Sequence, residues 1–170
     1  CITYTKLSGT TISNELICYD IESWTEVSRK AIPLTTISTD MTWNPADQKV
    51  YGAFYNTTKN GYVFGTLDLE TGAVNKLSDI TLQDDKGYPA GFVVIAANSI
   101  GEIYGISQMG DLYKFNTEDG SYSLIGATGY TPLYQQSGCF DFTTKQLYWA
   151  ACNENSSGIY QVNTDTGEAT

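Results

Sequence analysis

Two loop segments carry the side chains with the most chemistry to offer. Residues 79–91, DITLQDDKGYPAG, hold Asp84, Asp85 and Tyr88, and residues 126–138, GATGYTPLYQQSG, hold Tyr130, Tyr134, Gln135 and Gln136. A tyrosine ring stacks on the flat face of a sugar or peptide, while its phenol and neighbouring amides bond hydroxyls or backbone. Tyr88, Tyr130, Tyr134, Gln135 and Gln136 are therefore candidate ligand-binding residues for a protein or a glycan. The competing reading is local packing, with Tyr88 beside Pro89 and Tyr130 near Pro132 wedging their loops in place. Asp84 and Asp85 are weak metal candidates, since calcium takes about six to eight oxygens and adjacent carboxylates supply few of them. No metal and no cofactor is expected.

The chain of 170 residues contains no His. That removes the commonest general base and excludes Ser-His-Asp, Cys-His and His-zinc chemistry within this sequence. No catalytic residue is assigned. The four cysteines fall as Cys1 and Cys18, then Cys139 and Cys152, without the C-x-x-C spacing of a zinc knuckle or redox motif. Each pair instead brackets an expected hairpin, the first centred near Gly9-Thr10 and the second near Lys145-Gln146. Cross-strand disulfides are geometrically open to both pairs and would fit an exported protein; four reduced thiols packed as small hydrophobes are the alternative.

A net charge of −10 repels phosphate backbones and anionic headgroups, so nucleic acid and membrane surfaces are not expected partners. The longest apolar run, FVVIAA at residues 92–97, is too short to span a bilayer. Aromatic residues, Thr, Val and Ile favour strands, and Gly, Asn, Asp and Ser supply turns.

The elements that hold the loops recur. Asp20, Asp68, Asn116 and Asn163 open equivalent turn motifs, spaced 48, 48 and 47 residues apart. Gly72, Gly120 and Gly167 each follow four residues later, where a positive φ closes the turn; Trp24 stands there in the first copy. Tyr4, Tyr51, Tyr104 and Tyr148 form a second series. Residues 43–55, 96–107 and 140–152 each read strand, turn, strand. Naming the strands of a repeat A to D, the tyrosine lies on B, and the Asp/Asn turn joins C to D. A period in the forties built from four antiparallel strands is that of a propeller blade.

The pattern resembles the β-propeller superfamily, particularly secreted or surface-displayed bacterial propellers with F/W-x-P-x-x-x-x-L/V-Y followed by Y-x-x-D-x-x-T-G. The Gly-His and Trp-Asp pairs of WD repeats do not occur. The resemblance implies an all-β fold of four-stranded antiparallel blades with repeats of about 47 residues, part of a six- to seven-bladed ring. The expected organisation is one propeller region over 1–170: a partial blade 1–36, blades 37–82 and 91–130, and a partial blade 135–170.

It also implies that ligands meet the face built from the B–C loops (55–62, 107–111 and 152–158) and the inter-blade connections. The function expected is a non-enzymatic recognition or scaffold module of a secreted or surface protein. Pairing with missing blades, self-association of two copies, or closure as a four-bladed ring with its last strand supplied by the first repeat would complete the propeller; the first is the one expected. The alternative is a calcium-dependent hydrolase or lyase whose site is completed by blades outside this chain. Asp40 and Asp141 are the acids nearest its channel-facing strands. The triplets at Asn56 (NTT) and Asn155 (NSS) match a glycosylation sequon and fall in expected loops.

Overall fold

The structure, a computed structural model, describes residues 2–8, 11–33 and 37–170. Among these residues fourteen strands form four antiparallel sheets. The first contains β1 (Ile2–Ser8), β2 (Thr11–Tyr19) and β3 (Glu26–Ala31); the second, β4 (Ile37–Asn44), β5 (Lys49–Asn56), β6 (Gly61–Leu67) and β7 (Val74–Ile80). The third contains β8 (Phe92–Ala97), β9 (Ile103–Ser107), β10 (Asp111–Phe115) and β11 (Tyr122–Ala127); the fourth, β12 (Ser137–Asp141), β13 (Gln146–Cys152) and β14 (Ser157–Val162). Strands follow chain order across every sheet, so each sheet is one blade of a β-propeller. β4, β8 and β12 are the inner A strands, and a bridge from Val162 to Ala169 starts a fourth strand beside β14. No helix long and apolar enough to cross a membrane occurs among the described residues.

Local chemistry explains the repeat. Asp20, Asp68, Asn116 and Asn163 each accept, through Oδ1, the N–H two residues on, and their own carbonyls accept the N–H four residues on at 2.8–2.9 Å. Gly72, Gly120 and Gly167 have φ of 74°, 74° and 90°; Trp24 closes the first copy with φ 55° and the same backbone bonds. The turn is thus kept although a bulky residue occupies its left-handed position, a conformation that costs about 1–3 kcal/mol for a side-chain-bearing residue.

Three apolar clusters seal the three contacts between successive blades. Leu16, Ile32, Val50 and Phe54 lie between the first and second. Tyr51, Phe64, Phe92, Ile103 and Phe115 lie between the second and third, where Phe64 stacks on Phe115 at 4.2 Å and Phe92 meets Phe115 edge-on at 4.9 Å. Tyr104, Ile106, Leu147 and Trp149 lie between the third and fourth. The B-strand tyrosines Tyr51 and Tyr104 therefore each fill the contact with the blade that follows. Packed aromatic pairs add about 0.5–1.5 kcal/mol each beyond the area they bury.

The second cysteine pair corrects the disulfide expectation: Cys139 and Cys152 are free thiols. Their hairpin forms, but Cys139 stands opposite Tyr148, and Cys152 opposite Ser157 on the other neighbour. Bracketing a hairpin does not place two residues in one cross-strand pair; register does. The first pair involves Cys1, which lies outside the described residues, as does the tip Gly9-Thr10 between β1 and β2.

Candidate functional site: the face of the B–C loops and inter-blade connections

Strand alternation puts the B–C loops and the connections leading into each A strand on one face. A cavity of about 420 Å³ opens there, floored by Phe92 and Val93 and walled by Gln108, Leu133, Tyr134 and Gln135, with Asp84 at its edge. Thr39 and Gln135 also line a second, adjoining cavity of about 560 Å³, which reaches Thr5, Asp40 and Gln136.

Two β-bulges shape this mouth. The β4–β5 register shifts between Ser38 and Asp40, and the β8–β9 register between Phe92 and Val94. The extra residues are Thr39 and Val93, at equivalent places in successive A strands, and both line the first cavity. A bulge bends the strand and re-aims its side chains, and bulges recur next to functional sites.

The sequence candidates separate into three roles. Tyr134 is 75% exposed with φ 70°, and Gln135 beside it is exposed; both line the cavity. Gln136 is buried: its Nε2 donates to the carbonyls of Leu133 at 2.7 Å and Cys152 at 2.5 Å, while its Oε1 has no hydrogen-bond partner among the described residues. With the Leu133 N–H donating to the Cys152 carbonyl at 2.9 Å, this amide ties the connection to the end of β13 and holds up Tyr134. Tyr130 packs edge-on against Trp149 at 5.4 Å and donates to the Ser156 carbonyl at 2.8 Å, bracing the B–C loop of the fourth blade.

Tyr88 is 65% exposed at a loop tip apart from both cavities. Asp84 accepts the N–H groups of Lys86 at 2.9 Å and Tyr88 at 2.8 Å, closing its own loop, and Asp85 faces solvent. Among the described residues no three His, Cys, Asp or Glu side chains are grouped to hold a metal.

Sequence reasoning gave no role to Gln108, Met109, Leu133 or Thr39. Gln108 had a usable signal, its place in a B–C loop. Its backbone N–H donates to the Gly91 carbonyl at 2.9 Å and its Oε1 accepts the Gly91 N–H at 3.0 Å, so the side chain is pinned at the rim. Thr39 and Val93 carried none, because a bulge is invisible without the register.

Asp40 is an acid that lines the second cavity. Its Oδ2 accepts the Ile95 N–H of β8 at 2.8 Å and its Oδ1 accepts the Ser137 hydroxyl of β12 at 3.2 Å, so one carboxyl on β4 links three A strands. Burial raises its pKa to about 7, against the opposing pull of these donors and the Met41 N–H. Asp141 lies at the far end of β12, capping the A–B turn of its blade, and its pKa is lowered by the Thr144 hydroxyl and the Thr143 N–H.

No family model and no curated protein matches the sequence. Solved structures match over almost the whole chain. A chain of a nidogen/laminin complex aligns with TM-score 0.65 at 16% identity, over 93% of this chain and 57% of that one. Virginiamycin B lyase from Staphylococcus aureus aligns with TM-score 0.51 at 15% identity, over 94% and 47%. TolB from Acinetobacter baumannii aligns with TM-score 0.51 at 9% identity, over 98% and 52%. At these identities the likeness defines the fold: the chain is β-propeller in architecture and spans roughly half of each of these neighbours. Propellers of this kind include both a member of a protein complex and a lyase.

Proposed function

We propose that the chain is a non-enzymatic recognition module of a secreted or surface protein, binding a protein or glycan on the face of its B–C loops and inter-blade connections. The observation that carries this is Tyr134, exposed and held on a braced connection beside Gln135 and Gln108 at the mouth of a cavity of about 420 Å³. Rigid aromatic and amide groups around a concave floor suit stacking on a sugar ring or a peptide plane. The nidogen/laminin neighbour is a propeller in a protein complex, which agrees with this use of the fold.

The test is a labelled-protein screen on glycan and peptide arrays, comparing the chain with Tyr134→Ala and Tyr88→Ala. Signals lost in Tyr134→Ala and kept in Tyr88→Ala support the reading. Full retention in Tyr134→Ala sinks it.

Further blades fit the same proposal. Tyr51 and Tyr104 are buried by the blades that follow them, whereas Tyr148, their counterpart, is only half-buried and Ile159 on β14 is 71% exposed. A neighbouring blade, from a longer chain or a second copy, would cover both. Oxidised Cys1 and Cys18 would fit export, and the register Ile2 opposite Ile17 is the one their pairing needs. Alkylation then labels two thiols before reduction and four after; four before reduction rejects the pairing.

Asp40 favours one second reading, a propeller enzyme. A half-buried carboxyl with pKa about 7, lining a cavity, has the properties of a general acid or base. In that case turnover of a substrate found for the protein disappears in Asp40→Asn while its binding persists.

A further inference from the structure

The opposite face, built from the A–B and C–D turns, differs between successive blades. Asn44, Asn98 and Asp141 are equivalent residues at the ends of β4, β8 and β12. Between the second and third blades, Asn44 Nδ2 crosses to the Gly101 carbonyl at 3.0 Å. Gly101, at φ 91°, lies so close that an added Cβ would come within 2.5 Å of the Ala46 Cβ. The two A–B turns are therefore sealed against each other by a glycine.

Between the third and fourth blades this seal is missing. Asn98 Nδ2 turns back to Glu102 Oε2 at 2.7 Å, and the A–B turn of the fourth blade, one residue longer, closes on Lys145 at φ 61° where that of the third closes on Gly101. A cavity of about 290 Å³ lies between these two turns. Its apolar walls are Tyr104, Phe140, Phe142 and Ile100; its charged groups are Glu102, Asp141, Asp165 and Lys145. Ile100 and Phe142 at the rim are 72% and 50% exposed.

The chemistry of the site is already used once within the chain. Lys114 Nζ lies 5.7 Å from the Tyr104 ring centroid and 2.7 Å from Glu102 Oε1, a cation held by an aromatic face and a carboxylate together. Lys114 meets the charge of Glu102. Asp141 and Asp165 remain, opposed by the exposed Lys145.

We propose that this cavity receives an arginine or lysine side chain of a protein partner, its alkyl stem along Phe140 and Phe142 and its head at Asp165 and Asp141. The carboxylates set the sign of the guest, and the rings suit a cation with an apolar stem. The exposed rim argues for a polypeptide: a free small cation fills the cavity but leaves Ile100 and Phe142 in water, whereas a partner chain covers them.

The test is a backbone amide NMR titration of the full chain with N-acetyl-arginine amide, N-acetyl-norleucine amide and N-acetyl-glutamate amide. Saturable shifts confined to Ile100, Phe142, Lys145 and Asp165 with the arginine probe, weaker with norleucine and none with glutamate, are expected. Asp141→Asn keeps a residue that already caps the two other A–B turns, so the double variant with Asp165→Asn should fold, which its spectrum reports directly. It should weaken the arginine probe about tenfold, about threefold per exposed carboxylate, and leave norleucine unchanged. Lys145→Ala should strengthen the arginine probe. Equal affinity for norleucine, shifts elsewhere, or an unchanged arginine affinity in the folded double variant would overturn the proposal.

Discussion

The contact between the second and third blades and the contact between the third and fourth are built from one repeat, yet they differ at both core and rim. The former is packed with Tyr51, Phe64, Phe92 and Phe115 and closed at the A–B turns by Asn44 against Gly101. The latter centres on Trp149, whose Nε1 is buried with no hydrogen-bond partner among the described residues, and its turns stand apart around a cavity. A repeat fixes which residues face which blade. The rims differ in their A–B turns: that of the third blade closes on glycine, and that of the fourth, one residue longer, on lysine.

Removing the packing that unites the second and third blades should have the largest effect. Phe64→Ala deletes a fully buried ring of the second blade that stacks on Phe115 of the third and on Tyr51 of its own. It should cost about 3–5 kcal/mol in denaturant unfolding. A cost below about 1 kcal/mol would mean that this cluster does not hold the blades together.

Asp40 links β4, β8 and β12 and so spans both contacts. Its folded pKa, about 7, lies above the unfolded carboxylate value, 3.8, so the protonated form is favoured by folding. Its contribution is fully present below about pH 4 and is lost as pH rises through about 7, by up to about 4 kcal/mol at 1.36 kcal/mol per pH unit. Asp40→Asn should remove that slope and stand at least level with the parent at pH 8. A parent stability that rises from pH 4 to 7, in excess of the variant's own change, would contradict the assignment.

Converting one rim into the other gives smaller, opposite effects. Gly101→Lys should destabilise by about 2–3 kcal/mol, from a left-handed backbone and a clash with Ala46. Lys145→Gly relaxes the same left-handed backbone conformation and should stabilise by up to about 1 kcal/mol in the same unfolding measurement. If both substitutions are neutral, the rim is not what distinguishes the two contacts.

The fold was legible because its signals are local. Each turn is made by an Asp or Asn bonding backbone two residues on and a residue with positive φ at the fourth, all within one pentapeptide. Even Trp24 obeys, since the Asp20 bonds specify the turn in that copy too. The candidate site was legible only in part. Tyr134 and Gln135 line a cavity. Tyr130 and Gln136, with the same loop position and similar chemistry, are held inward by Trp149 and by two carbonyls.

By itself, then, the sequence determined the blades, their order and their turns, because each rests on contacts within a few residues and on a period that repeats them. Register and inter-blade packing decided the rest. They set the bulges that aim Thr39 and Val93 into the cavity, the separation of Cys139 from Cys152, and the burial that makes Asp40 a clasp among three strands. Those properties belong to pairs of residues far apart in the chain, up to 97 positions for Asp40 and Ser137, so no local pattern could carry them.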